Sequence, residues 1–306
     1  MKTAIVIAPH YAAASSFSVY RGLEQGMRRA AELGYRGVEL ALADAEEGKQ
    51  NKVSKLLKEY HLELPAISTG RLQAERGLCL SSPRLPVRQK AVAEFLKIID
   101  LAAETGSMVN IGRARGFMEE KDLNQDTLSF FTDSMRIIMQ AAQQKGVDIL
   151  LEPVNRYECR FINRLQEGAD FIETAGLGRL YLMPDLFHMN IEERNIQEAL
   201  LQYRKQIRYI HFADSNRLAP GWGHLDLPGI SQTIEQMDYD GWITVEILPL
   251  PDADSAAAQA IGYLNGLMSA KDAAKDVADE GYHFGTKAVP NTELTSAKAD
   301  KGYQYE

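Results

Sequence analysis

Four ionisable side chains stand out because each ends an apolar run or lies late in one: Glu152 in DILLE, Asp185 in LYLMPD, His211 in IRYIHFAD and Glu246 in WITVE. A charge buried in such a run without a partner costs on the order of several kcal/mol or is forced to neutralise. For any one of them, a paired structural carboxylate or a hydrogen-bonded core histidine is a sufficient account. Four at equivalent positions need more, because three carboxylates and one imidazole that converge repel one another unless a cation sits between them. Oxygen-rich ligands with a single nitrogen favour a hard or borderline divalent ion, Mn²⁺ foremost and Mg²⁺ or Co²⁺ after it, over a thiolate-type zinc site. An ion held in this way can polarise an oxygen of a bound substrate.

The elements that must bring these residues together can be counted. Strand-like runs occur at 3–7, 37–42, 64–69, 108–112, 148–154, 180–186, 207–214 and 242–247, and several are nearly continuous apolar stretches, as strands covered on both faces require. Between them, Val92, Phe95, Leu96, Ile99 and Ala103 form one apolar stripe at helical spacing, and Leu128, Phe131, Met135, Ile138, Met139 and Ala142 form another. Asn190 before Ile191-Glu192-Glu193 reads as a capped helix start, and Pro228 suits a first helical position. Eight strand-then-helix units fit a (β/α)₈ TIM barrel, with a doubly wound open sheet as the rival. In the barrel, all four ionisable residues fall at the C-terminal strand ends, where barrel active sites lie. The barrel is expected over residues 1–270. Residues 271–306 lack an apolar period and read as an appended tail, flexible or anchored through Tyr282, Phe284, Tyr303 and Tyr305 at an interface of a homo-oligomer.

Composition narrows the partners. The chain has 306 residues and a formal net charge of −8. That sign argues against nucleic acid and anionic membrane surfaces as partners. The opening MKTAIVIAPH is interrupted too early to be a signal-peptide core or a membrane span. Cys79 and Cys159 could form one bridge at most, so a cytoplasmic location is expected. No GxGxxG or Walker sequence follows a strand, which counts against nucleotide cofactors.

The segments LLEPVNRYE, MPDLFHMNIEE, IHFADSNRLAPGWGHLD and GWITVEILP, over residues 146–250, resemble the ketose 3-epimerases of the tagatose and psicose 3-epimerase family, within the xylose-isomerase-like TIM-barrel group of sugar isomerases and epimerases. The resemblance implies that Glu152, Asp185, His211 and Glu246 hold the metal and that Glu152 and Glu246 exchange protons with the substrate. It further implies that Glu158, His188 and Arg217 contact the sugar. Trp222 and His224 lie in a loop of variable sequence, Ile247 and Leu248 stand where these epimerases often carry aromatics, and the tail has no counterpart.

The chemistry of the residues agrees with those roles. Taking a proton from the carbon next to a ketone requires a base at the carbon and an electrophile on the carbonyl oxygen, where charge collects as an enediolate. Inversion also requires acid–base groups on both faces, and Glu152 and Glu246 come from strands three apart in barrel order. His188 suits assistance at a substrate oxygen. Arg217 suits orienting a carboxylate or bonding Glu158 and sugar hydroxyls, with pairing to Asp214 as its plain alternative. His10, Glu39, Arg113 and Arg115 near early strand ends read as structural or supporting, although the two arginines could receive a phosphate. Glu192 and Glu193 read as part of a helix start, and Cys159 lacks an activating base. The expected activity is C3 epimerisation of a ketose or ketose phosphate. Aldose–ketose isomerisation is the runner-up, and endonuclease-like hydrolysis or non-catalytic sugar binding are the other classes.

Overall fold

The structure, a computed structural model, describes residues 1–13, 17–116 and 125–279. Its strands are β1 (Lys2–Ala8), β2 (Tyr20–Arg21), β3 (Gly37–Ala41), β4 (Ala66–Ser68), β5 (Met108–Ile111), β6 (Ile149–Leu151), β7 (Leu180–Leu182), β8 (Tyr209–Phe212) and β9 (Trp242–Val245). All pairings are parallel, in the order β7-β6-β5-β4-β3-β1-β9-β8, with β2 a short addition on β1. Isolated parallel bridges Leu182–Ile207 and Asp185–His211 join the two ends of that order. The sheet is thus a (β/α)₈ barrel, closed between β7 and β8 by bridges rather than by a continuous ladder.

Each of the eight expected runs contains a strand, in most cases a shorter one. The run 148–154 keeps only Ile149–Leu151 in the ladder, which leaves Glu152 just beyond the strand end, ahead of Pro153. The run 180–186 stops at Leu182, and Asp185 caps the helix Leu186–Glu192 by accepting from the Phe187 N–H. Asn190 therefore lies inside a helix and does not begin one. The next helix, Ile196–Tyr203, is capped by Asn195, whose side chain accepts from Glu198 N–H. The acids that follow Asn190 close the helix that Asp185 begins, and Asn195 is the residue with the extended backbone geometry that a cap needs.

Two layers of apolar packing hold the barrel. Outside the sheet, Ile67, Val109 and Ile149 belong to one core with Phe95, Ile99, Phe131 and Met135 from the helices Leu85–Thr105 and Gln125–Lys145. The first of these helices starts with Pro86 in its opening turn and stops at Gly106, whose φ of 73° suits a residue without Cβ. Inside the ring, Ala66, Leu150, Met183 and Tyr209 meet, although β4 and β8 lie far apart in strand order. Side chains alternate along a strand, so the residue two positions further on also faces inward, one layer nearer the mouth. Those residues are Ser68, Glu152, Asp185 and His211.

Met1–Met268 forms the compact barrel unit, and Ser269–Glu306 is a second unit. The last helix, Ala253–Asp279, continues past the expected boundary at Ala270. Tyr282, Phe284, Tyr303 and Tyr305 lie outside the described residues. Among the described residues, no helix is long and apolar enough to cross a membrane.

Candidate metal centre and active site

Glu152, Asp185, His211 and Glu246 come from β6, β7, β8 and β9 or the residues just after them, four consecutive staves of the ring. Each offers one ligand atom, and these atoms all lie within 4.8 Å of one another. His211 Nδ1 stands 3.4 Å from Glu152 Oε1, 3.5 Å from Asp185 Oδ2 and 3.3 Å from Glu246 Oε2. On its other side, His211 Nε2 is 2.9 Å from Glu39 Oε2, with both side chains fully buried. An ionised carboxylate only accepts, so Nε2 carries the hydrogen and Nδ1 faces the three carboxylates. Nδ1 has no hydrogen-bond partner there. A buried nitrogen without a partner that faces three carboxylate oxygens fits a divalent cation well.

The electrostatics agree with that fit. Burial alone would lower the pKa of His211, but Glu39, Asp185 and Glu152 outweigh it and hold the pKa well above the ordinary value. Without an ion, the imidazole keeps a second proton at the position a cation would take. Burial works to raise Glu152, yet His211 and His188 bring its carboxyl below the usual range. Asp185 is lowered further, its burial overcome first by Arg217 and then by the two histidines.

Glu152 faces two ways. While Oε1 is directed to His211, Oε2 accepts a hydrogen bond of 2.9 Å from Asn110 Nδ2. It also lies against the place a Cβ on Gly112 would take, so a larger residue there would push this carboxylate aside. Glu246 Oε2 is paired with Arg217 Nη2, and Arg217 Nη1 donates to Asp185 Oδ2 at 2.5 Å. Arg217 is buried between the rings of Phe17 and Phe187, its charge balanced by these two carboxylates. It does not pair with Asp214. That carboxylate accepts from the backbone N–H groups of Ser215, Gly221 and Leu225 and so shapes the loop from which Arg217 projects.

His188 Nδ1 is 2.7 Å from Asn155 Nδ2, and an amide nitrogen donates, so Nδ1 accepts and Nε2 bears the hydrogen. Burial dominates and lowers the pKa of this histidine, leaving a neutral imidazole whose Nε2 is 4.0 Å from Asp185 Oδ2. Glu158 accepts from Asn155 Nδ2 at 3.2 Å and lies 3.5 Å from Arg113 Nε, so its arginine neighbour is Arg113 rather than Arg217. All three expected sugar contacts, Glu158, His188 and Arg217, line one cavity at the barrel mouth with Glu152 and Glu246. A larger apolar groove of about 550 Å³ lies on the outside, between the helices Gln125–Lys145 and Leu165–Ala175, away from these ionisable residues.

Other singled-out residues have structural partners. Arg115 is fully buried and donates to the carbonyls of Glu152 and Ile162, which removes it as a phosphate receptor. Cys159 is buried with its thiol 3.1 Å from the Gly116 carbonyl. Glu192 accepts from Arg156, and Glu193 accepts from the Leu165 N–H, which ties the helix end back to the barrel. His224 bonds Ser215 within its loop, and His10 is exposed against Tyr11. Residues the sequence reading did not single out include Asn155, which orients His188, Asn110 late in β5 and Ser68 at the end of β4. The signal of the last two was a polar residue late in a short apolar strand, close to the pattern that marked Glu152, but without a charge.

Residues 27–267 match the model of the xylose isomerase-like TIM barrel family. A 3-dehydro-D-guloside 4-epimerase of Escherichia coli (strain K12) is 35% identical over 115 residues, 38% of this chain and 44% of that protein. A D-psicose 3-epimerase of Enterocloster bolteae is 28% identical over 230 residues, 72% of this chain and 75% of that protein. The chain thus spans less than half of the first relative and three quarters of the second. The crystal structure of a D-allulose 3-epimerase from Methylomonas sp. in complex with D-allulose superposes with a TM-score of 0.72 at 22% identity, covering 87% of this chain and 98% of that one, a likeness of fold.

Proposed function

Since the chain belongs to the xylose isomerase-like TIM barrel family, we propose that it is an isomerase-class enzyme, a divalent-metal-dependent epimerase that inverts the carbon beside the ketone of a sugar, C3 of a ketose. The observation that carries this reading is the unpartnered His211 Nδ1 facing Glu152, Asp185 and Glu246, with Glu39 fixing its tautomer. These four residues would hold the ion, Mn²⁺ foremost. The bound ion supplies the electrophile for the ketone oxygen as charge collects there.

The chain's own residues do the rest. Glu152 and Glu246 lie at the two ends of the ionisable arc, so a sugar seated between them meets a carboxylate on each face. One takes the proton from the carbon, and the other returns a proton to the opposite face. Asn110 bonds Glu152 Oε2 in the space that Gly112 leaves, while Oε1 is turned to His211. His188, neutral with its hydrogen on Nε2, donates to a substrate oxygen, while Glu158 and Arg217 bind hydroxyls. The relatives' names support the reading, since both the 3-epimerase and the 4-epimerase invert a sugar carbon. The two cysteines, both free, fit a cytoplasmic enzyme.

Turnover of a ketose panel in D₂O tests the proposal. Deuterium at C3 with the C3 epimer as product is the expected result. Deuterium at C1 or C2 with an aldose product would replace it by aldose–ketose isomerisation.

A further inference from the structure

The four ionisable staves β6 to β9 occupy half of the ring, so a substrate between Glu152 and Glu246 must present its far side to the other half. There, Ser68 ends β4 and Asn110 is the last residue but one of β5, directly paired across the two strands. Their side chains stand side by side, and both line the same cavity as Glu152, His188 and Glu246. Ser68 is 6% exposed and its Oγ has no partner; Asn110 is 3% exposed and its Oδ1 has none. A buried polar atom left without a partner is uncommon, and two adjacent ones at the mouth of a cavity call for a ligand.

The orientation of Asn110 follows from Glu152. The amide presents its NH₂ to that side chain, with Nδ2 donating to Glu152 Oε2 at 2.9 Å. That leaves the carbonyl Oδ1, a pure acceptor, as the unpartnered atom of Asn110, while the Ser68 hydroxyl on the neighbouring strand can donate or accept. Nearby basic groups are already matched. Arg71 has its guanidinium bonded to Glu47, Glu75 and the Ala41 carbonyl, and Arg113 Nε lies 3.5 Å from Glu158. This end of the site thus carries a neutral acceptor and a hydroxyl, without surplus positive charge. A phosphate or carboxylate would meet the negative end of the Asn110 carbonyl; an alcohol would donate to it.

We infer that Ser68 and Asn110 form a subsite for a free hydroxyl of the sugar away from the reacting carbon, and that Asn110 links this subsite to Glu152. The inference rests on the proposed function for the kind of ligand and adds to it the preference for an unphosphorylated sugar at that end. Asn110 is a contact of the substrate through Oδ1 and a positioning residue for Glu152 through Nδ2.

The test uses the Mn²⁺-loaded enzyme with free ketoses, their phosphate esters, and analogues deoxygenated at one carbon at a time. Affinity is read by calorimetry and turnover by kcat/KM. Removing the hydroxyl that Ser68 and Asn110 bind should weaken the wild type about tenfold to a hundredfold. Ser68→Ala, which deletes an atom with no protein partner and so spares the fold, should lose about tenfold on the free ketose and within about threefold on that one analogue. Asn110→Ala should lose affinity in the same selective way and also lower kcat, with metal affinity retained. Equal losses by Ser68→Ala on every analogue, or phosphate esters binding more tightly than free ketoses, would overturn the inference. Binding with this selective pattern but without epimer formation refutes the proposed function and leaves the subsite standing. Epimerisation without the pattern does the reverse, and no binding of any ketose overturns both.

Discussion

Glu39 lies opposite the cavity, on β3, and its carboxylate accepts from His211 Nε2 at 2.9 Å where both side chains are fully buried. Replacing it by leucine removes the acceptor and leaves the Nε2 hydrogen buried without a partner, at a cost of about 1–3 kcal/mol. At ~1.4 kcal/mol per tenfold, this is ~5- to 150-fold in metal affinity, which brackets the ~10- to 100-fold typical of residues that orient a metal-binding histidine. An opposing effect enters at low pH. After burial, Glu39 is the largest influence on the His211 proton, so its removal also weakens the proton that competes with the ion. Competition fades as pH rises, whereas the lost hydrogen bond does not. Mn²⁺ titrations of metal-free Glu39→Leu across pH 6 to 9, with far-ultraviolet circular dichroism to confirm folding, should show the deficit growing toward its full value at the alkaline end. Glu39→Gln keeps an acceptor through its amide carbonyl and should fall between wild type and leucine. An alkaline affinity of Glu39→Leu within twofold of wild type would show that the imidazole is not held for metal binding by this contact.

Four further outcomes are expected. The purified enzyme should hold one divalent ion per chain and lose activity to EDTA; His211→Ala should lose the ion while His188→Ala retains it and loses turnover, and equal metal loss in both would show that the histidines are assigned wrongly. Glu152→Gln and Glu246→Gln should each slow proton exchange at the reacting carbon by ~10²- to 10⁴-fold, read as deuterium uptake. In the metal-free protein the His211 pKa is raised above its unfolded value, so its contribution to stability is full below about pH 6.5 and is lost as pH rises through the folded pKa. The melting temperature without metal should therefore drop toward alkaline pH while Mn²⁺ affinity rises, and a flat apo melting profile would count against the proton–ion competition. A chain ending at Ala270 should keep the barrel's circular dichroism and cooperative melting; a molten product would show that the rest of the last helix helps to close the core.

The barrel was legible because its strands are short apolar runs between helices with strong stripes, and eight such units leave few alternatives. Phe131, Met135 and Ile138 marked the helix over β5 and β6 by spacing alone. Strand ends were less legible, since the run LYLMPDL continues in apolar residues through Pro184 while the ladder ends at Leu182. The ionisable half of the site was readable because charge inside an apolar run is conspicuous. Neutral polar groups are not. Ser68 and Asn110 lie late in their strands without a charge to draw attention, and Asn155 acts on His188 from 33 positions away, a relation that exists only once β6 and β7 are adjacent. Asn190 misled for a related reason, because its local pattern suited a cap although Asp185 had already begun the helix.

The division of the barrel into two halves explains why the charged residues do not destabilise it. On β6 to β9, three carboxylates face His211, Arg217 and the place for an ion, so each negative charge has a positive neighbour within a few ångström. The histidine is in turn anchored across the barrel by Glu39 from β3, which joins the charged half to the neutral half through the interior. Below this level, Ala66, Leu150 and Tyr209 meet inside the ring, and Thr244 donates to the Tyr209 hydroxyl at 2.6 Å. The same low dielectric that makes isolated charges costly strengthens each matched pair at the mouth. Proton transfer by Glu152 and Glu246 would then take place at the upper surface of a packed interior, open to substrate on one side only.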